Sequence, residues 1–332
     1  MATLKDVAKL AGVDVSTVSR ALNAGKNVSP ETRARVVAAA GKLGYVPNVA
    51  AQALRKGRTY SIGVLLPRLH LASFSDILLG IVTATRSIGY FVPVCLTDDD
   101  PAIEKEYLNR MRNGHFDGII IVPSGKNIQL LREIRAEGTA VLQLLRCQVP
   151  EISSIVTDYE TCAYDAVHYL YGKGCRKIGL ISGTQQLVPF RRHHDGYLRA
   201  AEELGLEALD DPGEDGKSPT FEYGYACAEK LLDRCPALDA VLTAVDVQGI
   251  GAMRALRERN VRVPEDVRVM SLTGHALGRI LETGMTAMEI PAREMGAEAV
   301  RMVVEDIEAP EGGKPSVRHL TFEASLVERE ST

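Results

Sequence analysis

Four side chains near the N-terminus are of the types that contact bases in the major groove of DNA. Val15, Ser16, Ser19 and Arg20 are spaced so that a helix would present them largely on one side. A small apolar side chain suits a thymine methyl group, hydroxyls suit base edges or phosphates, and arginine suits guanine or phosphate. An ordinary small helical bundle with an exposed serine face also fits this spacing, so the pattern alone leaves both interpretations open.

Two short helices must position this face, and the sequence predicts both. Apolar residues at helical spacing predict a helix over residues 4–10, with Thr3 as its N-cap. Gly12 can adopt the left-handed conformation that ends a helix, and a second helix is predicted over Val15–Leu22. A third helix is predicted to begin at Pro30, with Ser29 as its N-cap, and residues 32–43 supply its apolar face. A helix, a tight glycine turn and another helix form the helix-turn-helix arrangement.

Charge is distributed unevenly along the 332 residues. Residues 1–58 contain ten basic and three acidic residues, a net charge of +7, whereas the remainder contains 29 basic and 40 acidic residues, a net charge of −11. A basic N-terminal segment on an acidic body fits a segment that binds a polyanion and a body that does not.

Several functional classes fit the sequence poorly. No stretch approaches the roughly 18 apolar residues that a membrane helix needs, and the N-terminus lacks the pattern of a signal peptide, so we expect neither a membrane protein nor an exported one. The six cysteines have no metal-ligand spacing, and the adjacent His193 and His194 point apart on a helix, so we expect no metal and no cofactor. Motifs of hydrolases, nucleotide triphosphatases and dinucleotide-binding enzymes are absent, so we expect no enzyme.

From Tyr60 onward, short apolar runs alternate with helical patterns. This alternation predicts parallel sheets with helices on both faces, which is a doubly wound α/β architecture. The predicted strands cover residues 61–66, 90–96, 117–122, 140–145, 177–181, 240–243 and 267–271.

The N-terminal segments match a known signature almost residue for residue. Residues 3–13, 16–23, 28–33 and 43–48 resemble the N-terminal signature of the LacI/GalR family of bacterial transcriptional repressors. The resemblance implies that Val15 and Ser16 vary the choice of operator and that Arg20 contacts a further base. It also implies DNA contacts at Thr3, Thr17, Ser19 and Asn23.

The resemblance makes residues 48–58 a linker that folds into a hinge helix on specific DNA. Leu54 would then wedge into the minor groove at the operator centre, with Ala51 and Arg55 as neighbouring DNA contacts. Such a wedge unstacks a base step and bends the duplex toward more protein contact. Leu54 also fits a plain helix-packing leucine.

The rest of the chain resembles the family's effector-binding and dimerisation core, which is similar to periplasmic sugar-binding proteins. The resemblance implies a helix-turn-helix domain over residues 1–47 and a core over 59–332, with the ligand between two α/β lobes. An N-lobe is expected over residues 60–158 and 290–320, and a C-lobe over 159–289 and 321–332. The segments that carry this resemblance are 97–101, 116–121, 174–183, 195–197, 263–267 and 291–296.

Effector contacts depart from the family pattern. The resemblance leads us to expect them at Phe74, Arg146, Arg191, His193, Asp246 and Thr273. His193 stands where an arginine commonly holds sugar hydroxyls, and Asp246 is the polar contact that is retained, although Asp246 equally fits a helix cap. The basic cluster 191–194, with Arg146, suits a phosphorylated sugar or another anion, but it also fits a solvated helix face.

The resemblance therefore implies a cytoplasmic homodimer that represses a carbohydrate-utilisation operon from a palindromic operator. A sugar or sugar phosphate would bind between the lobes and change their angle. One alternative is a regulator switched by a protein, such as a serine-phosphorylated phosphocarrier, and a more distant one is an exported solute-binding protein or an enzyme. The sequence leaves open the operator sequence, the effector's identity, whether it acts as inducer or co-repressor, and any oligomer beyond a dimer.

Overall fold

The computed structural model describes residues 2–22, 28–45, 58–211, 219–274, 276–309 and 316–332. The chain forms two compact units, residues 1–59, called the head here, and residues 60–332, called the body. Within the described residues, no helix has the length and apolar character needed to cross a membrane.

The described part of the head contains helices α1 (Leu4–Ala11), α2 (Val15–Leu22) and α3 (Pro30–Lys42). Gly12 ends α1 in the left-handed conformation, with φ of 64°, which a residue with a side chain adopts only at a cost. The Ser29 hydroxyl accepts a hydrogen bond from the Thr32 backbone N–H at 3.2 Å and so caps α3. The buried core is built largely from small side chains: Val7, Ala8, Ala11, Val18, Ala21, Val36, Ala39 and Ala40.

The N-lobe of the body is built on one parallel sheet. Its described strands are β1 (Ile62–Leu66), β2 (Val94–Leu96), β3 (Gly118–Ile121), β4 (Ala140–Leu144), β5 (Ser154–Thr157) and β11 (His319–Phe322). They lie in the order β11-β5-β4-β3-β1-β2, so β2 is an edge strand. The associated helices are α4 (Ala72–Ile88), α5 (Pro101–Asn113), α6 (Ile128–Ala136) and α12 (Ala292–Glu308).

The C-lobe is built on a second sheet. Its described strands are β6 (Ile178–Ile181), β7 (Leu209–Asp211), β8 (Ala240–Thr243), β9 (Arg268–Gly274), β10 (Thr286–Glu289) and β12 (Ser325–Val327). Their order is β12-β10-β9-β8-β6-β7, and β12 runs antiparallel to β10. The helices are α7 (Tyr159–Gly172), α8 (Val188–Leu204), α9 (Phe221–Arg234), α10 (Asp246–Glu258) and α11 (Ala276–Arg279).

Three crossovers in the described residues join the lobes. They run from β5 to α7, from β10 to α12 and from β11 to β12. Because the parallel strands of each lobe end on the side where their following helices begin, polar groups at those ends can converge on a cleft between lobes.

Close helix packing in the N-lobe depends on two glycines. A Cβ atom placed on Gly80 of α4 would lie 2.1 Å from the Arg293 carbonyl oxygen, and one on Gly296 of α12 would lie 2.2 Å from the Ile77 carbonyl oxygen. These distances are far below contact distance, so α4 and α12 touch backbone to backbone at these positions.

The predicted fold class, a small helical head with a two-lobed parallel α/β body, is confirmed. The sequence pattern predicts none of β5, β7, β10, β11 and β12, which have three or four residues each. These short runs mix polar with apolar residues, whereas the buried strands that the pattern predicts are almost continuously apolar. The sequence pattern predicts a helix over residues 75–89, and α4 begins three residues earlier, at Ala72.

Candidate functional site

Helix α2 presents the residues predicted to read DNA. Val18 packs into the core of the head, whereas Val15 is 39% exposed and Ser16 and Arg20 are also exposed. The Arg20 guanidinium donates to the Ser16 carbonyl oxygen and to the Ser16 hydroxyl, both at 3.2 Å. No carboxylate among the described residues forms an ion pair with Arg20, so its charge is available for a phosphate or a base.

Thr3, predicted as a DNA contact, is also part of the cap of α1. Its backbone N–H and its hydroxyl both donate to the Asp6 carboxylate at 2.8 Å, and the Asp6 N–H donates back to the Thr3 hydroxyl at 3.4 Å. These hydrogen bonds, first of all that from the Thr3 backbone, lower the pKa of Asp6 below its ordinary value. Thr3 is exposed and Thr17 and Ser19 are half-buried, so all three lie at the surface of the head.

Four predicted DNA contacts, Asn23, Ala51, Leu54 and Arg55, lie outside the described residues. Of the predicted hinge, 48–58, only Arg58 is described. The wedge at Leu54 therefore stays a prediction.

A cleft of about 70 Å³ lies in the body, between the lobes. Its polar lining residues on the N-lobe side are Arg68, Ser73, Asp99 and Arg146. On the C-lobe side they are Tyr159, His193 and Thr273. Most of the remaining lining is apolar and includes Leu71, Phe74, Leu145, Leu187, Phe190, Val245 and Ile290.

Arg68, Asp99 and Arg146 form a charged corner in this cleft. The two carboxylate oxygens of Asp99 lie 3.1 Å from Arg68 Nη2 and 2.5 Å from Arg146 Nη1. Arg146 is only 5% exposed, and its Nη1 also donates to the Pro123 carbonyl oxygen at 3.2 Å. Its buried Nε has no partner among the described residues, so the corner retains an unused donor.

The backbone at this corner adopts conformations that are unusual for residues with side chains. Asp98, Asp99 and Leu145 have φ values of 52°, 60° and 61°. Left-handed backbone is unfavourable for such residues and tends to occur where a site demands it. These three follow β2 and β4 directly, and they set the positions of Asp99 and Arg146.

His193 lies opposite the charged corner and is 1% exposed. Its ring meets the Tyr159 ring edge-on, with centroids 5.1 Å apart, and Tyr159 donates to the Leu145 carbonyl oxygen at 3.1 Å. Burial lowers the pKa of His193 to about 3, so the ring is neutral at pH 7. Neither ring nitrogen has a hydrogen-bond partner among the described residues, which leaves one donor and one acceptor unsatisfied.

Three helices begin at residues that line the cleft. The N-cap residues of α4, α8 and α10 are Leu71, Leu187 and Val245. None of these side chains can accept a hydrogen bond, and the first turns of α4 and α8 have no side-chain cap, whereas in α10 the Asp246 carboxylate accepts from the Val247 N–H. Helix N-termini carry partial positive charge and bind anions.

Asp246 is the first residue of α10, next to the cleft residue Val245. Its Oδ1 accepts from the Val247 N–H at 2.9 Å, while its buried Oδ2 has no partner among the described residues. Burial raises the pKa of Asp246 to about 6. Asp246 is not among the residues that line the cleft.

The structure brings four of the six predicted effector residues to the cleft: Phe74, Arg146, His193 and Thr273. Arg191 is exposed and does not line the cleft, and its neighbour Arg192 pairs with Glu160 at 2.7 Å. The effector roles of Arg191 and Asp246 stay predictions.

Sequence reasoning missed Arg68, Asp99, Tyr159 and Phe190 as cleft residues. The signal that could have found the first two is their place within three residues of the end of a strand, since ligands of doubly wound folds bind at the carboxyl ends of strands.

Comparison with known proteins adds two family matches. Residues 3–48 match the model of "Bacterial regulatory proteins, lacI family", and residues 167–332 match that of a "Periplasmic binding protein-like domain". The chain is 32% identical to the HTH-type transcriptional regulator RegA of Clostridium saccharobutylicum, over the full length of both chains.

Solved structures with the same architecture include bound forms. The lac repressor dimer bound to operator and the anti-inducer ONPF is 26% identical, with a TM-score of 0.86 over 99% of this chain and 98% of that one. A complex of the transcriptional regulator CelR with cellobiose is 28% identical, with a TM-score of 0.72 over all of both chains.

Proposed function

Because this chain belongs to the lacI family of bacterial regulatory proteins and is a DNA-binding transcriptional regulator, we propose that it represses a carbohydrate-utilisation operon. It does so as a homodimer on a palindromic operator, under the control of a small molecule bound in the cleft. The observation that carries this proposal is the exposed face of α2 on a compact, basic helix-turn-helix head.

In the proposed complex, α2 enters the major groove. Val15 and Ser16 at its start meet base edges, and Arg20 meets a guanine or a phosphate. Thr3, Thr17, Ser19 and Asn23 position the head on the backbone of the duplex. Outside the major groove, Leu54 wedges into a base step from the minor groove, and Ala51 and Arg55 contact the DNA beside it.

The dimer is supported by apolar side chains on the surface of the body. Phe91 is 68% exposed, and Val94 and Leu96 are exposed on the neighbouring edge strand β2. In the C-lobe, Ile280 is 72% exposed. Exposed apolar clusters and open sheet edges are typical of interfaces, so these residues suit contact with a second copy.

The effector is a sugar or a sugar derivative such as a sugar phosphate, bound between the lobes. The cleft geometry and the similarity to a cellobiose-bound regulator support this part of the proposal. The hydrogen bond from Tyr159 of the C-lobe to Leu145 of the N-lobe spans the lobes beside the first crossover, so a change in lobe angle would alter it. A preference of about 1–3 kcal/mol for one lobe arrangement is enough to change operator occupancy noticeably.

The test is a binding measurement on selected DNA. Palindromic sequences enriched from a random pool by the full-length protein are compared with scrambled duplexes by fluorescence anisotropy at physiological salt. We expect the palindrome to bind at least about a thousandfold more tightly, with a stoichiometry of two chains per site. Equal affinity for the palindrome and the scrambled duplex would contradict the proposed function.

A further inference from the structure

We propose that the effector that binds in this cleft is a monocarboxylate. Arg146 and Arg68 hold its carboxylate, and the rest of the molecule lies against apolar side chains of the cleft. This inference rests on the proposed function, in that it assigns a chemical class to the ligand of the same cleft. It narrows the sugars and sugar derivatives of that proposal to an acid, and it adds non-sugar carboxylic acids to the candidates.

The formal charge of the cleft is +1. Arg68 and Arg146 contribute two positive charges, Asp99 contributes one negative charge, and His193 is neutral at pH 7. Arg146 is 5% exposed and shares the single carboxylate of Asp99 with Arg68, and a buried charge without full compensation is costly. A monoanion brings the cleft to neutrality, whereas a neutral ligand leaves one positive charge and a dianion leaves one negative charge.

One donor of the charged corner has no hydrogen-bond partner among the described residues. The Nε of Arg146 is buried and has no partner among the described residues, although Asp99 and Pro123 already occupy its Nη1. The N-termini of α4 and α8, which have no side-chain cap, add partial positive charge along the cleft. This set satisfies the two oxygens of a carboxylate more readily than the three oxygens of a phosphate.

The remaining residues that line the cleft limit how polar the rest of the ligand can be. Phe74, Phe190, Leu71, Val245 and Ile290 offer apolar surface but no side-chain hydrogen bonds. Ser73, His193 and Thr273 supply the remaining hydrogen-bonding side chains of the lining, which suit a small number of hydroxyl groups. A ligand with a hydroxyl on every carbon would leave several hydroxyls without hydrogen-bond partners. The part of the ligand that faces these apolar side chains therefore has few hydroxyls.

Two sources of such a carboxylate can be distinguished by experiment. D-Glucuronate is a sugar acid with an apolar ring face, and 4-hydroxybenzoate is an aromatic acid with one hydroxyl. D-Glucose and D-glucose 6-phosphate share the sugar ring but are neutral or dianionic. Each probe is added at about 10 mM to the full-length protein, a concentration chosen to saturate the cleft. The midpoint of thermal unfolding, Tm, is then recorded.

We expect at least one of the two carboxylates to raise Tm by about 3–6 °C, with little change from glucose or glucose 6-phosphate. A shift with glucuronate alone assigns a sugar acid, and a shift with 4-hydroxybenzoate alone assigns an aromatic acid. A larger shift with either of the other two probes, or no shift with any probe, overturns the proposal. Operator binding, measured in parallel, shows whether the proposed function survives that result.

Variants then locate the carboxylate. Replacing Arg146 by Gln removes one charge and is expected to weaken binding of the active probe at least 30-fold, about the loss of one buried charge-assisted contact. Arg110→Gln is the matched control, because the Arg110 side chain is 72% exposed and does not line the cleft, and it should change the affinity less than twofold. Equal losses in the two variants overturn the assignment.

Arg146→Lys keeps the positive charge, so it provides a second test of the assignment if the Gln variant does not fold. It should retain a preference for the carboxylate over glucose, with weaker binding because lysine lacks the planar fork of donors. If both Arg146 variants keep the Tm of the free protein and bind the carboxylate as tightly as the unchanged chain, Arg146 does not hold the ligand.

Discussion

In the head, Val15, Ser16 and Arg20 lie within two turns of one helix, whereas in the body the charged corner joins Asp99 to Arg68 and to Arg146 across 31 and 47 residues. The DNA-reading face therefore needs only one helix and its packing against two others. The cleft needs three strand ends, unusual backbone at Asp98, Asp99 and Leu145, and helices from both lobes. The comparison teaches that a site on one helix is specified by the spacing of residues in the sequence. A site at strand ends is specified by the order of the strands in the sheet.

The largest expected effect tests the long-range packing of the body. Replacing Gly296 by Ala places a Cβ atom 2.2 Å from the Ile77 carbonyl oxygen, so α4 and α12 must move apart. We expect a loss of about 3 kcal/mol in the stability of the body, measured by urea unfolding.

The matched control for Gly296 lies in the head. A Cβ atom on Gly41 of α3 meets nothing within 4 Å, so Gly41→Ala should stabilise the head by about 0.5 kcal/mol through helix propensity. Hydrogen exchange resolved by peptide assigns each change to its unit. If Gly296→Ala leaves the exchange of α4 and α12 unchanged, close helix contact does not limit the stability of the body.

The next effect tests whether the head reads DNA through a local face. Arg20→Ala removes a guanidinium that no described carboxylate neutralises, and it should weaken operator binding by about 2 kcal/mol. Anisotropy titrations with operator and scrambled duplex separate base readout from phosphate contact, because a phosphate contact weakens both by the same factor. Binding of the effector to the body in the absence of DNA should be unchanged.

The sequence predicted more of the structure in the head than in the body, because the signals in the head are local. Caps at Thr3 and Ser29 and the turn at Gly12 are local signals, and each is found where the spacing predicts it. Phe74 and Arg146 are found at the cleft, but nothing in the local sequence around Arg68 or Asp99 shows that the two meet. That information resides in the strand order, which puts β1 beside β2 and the ends of both at one edge.

Two buried titratable groups give the body a pH dependence with opposing signs. The folded pKa of His193 is about 3, below its ordinary 6.5, so the unfolded chain binds the extra proton and stability falls as the pH drops below about 6.5. The folded pKa of Asp246 is about 6, above its ordinary 3.8, so its protonation stabilises the folded body as the pH drops through 6. The two effects largely cancel between pH 7 and pH 5.

Single variants should separate these effects. Between pH 7 and pH 5, Asp246→Asn should lose about 2 kcal/mol of stability because only the histidine responds, and His193→Gln should gain about 1 kcal/mol because only the aspartate responds. Urea unfolding of each variant at the two pH values measures the difference. The same pH response in both variants would show that neither group is as buried in solution as in the structure.

The smallest effect tests how local the stability of the head is. Ser29→Ala removes the hydroxyl that accepts from the Thr32 N–H at 3.2 Å and donates to the Thr32 hydroxyl at 2.9 Å, which should cost about 1 kcal/mol. Ser29→Asp keeps an acceptor at the cap and should restore most of the loss. Because the head is a compact unit of its own, hydrogen exchange should quicken in α1 to α3 and stay unchanged in the body. Faster exchange in the body's sheets would mean that the two units unfold together, and the contrast between a locally specified head and a topologically specified body would then hold for their sites but not for their stability.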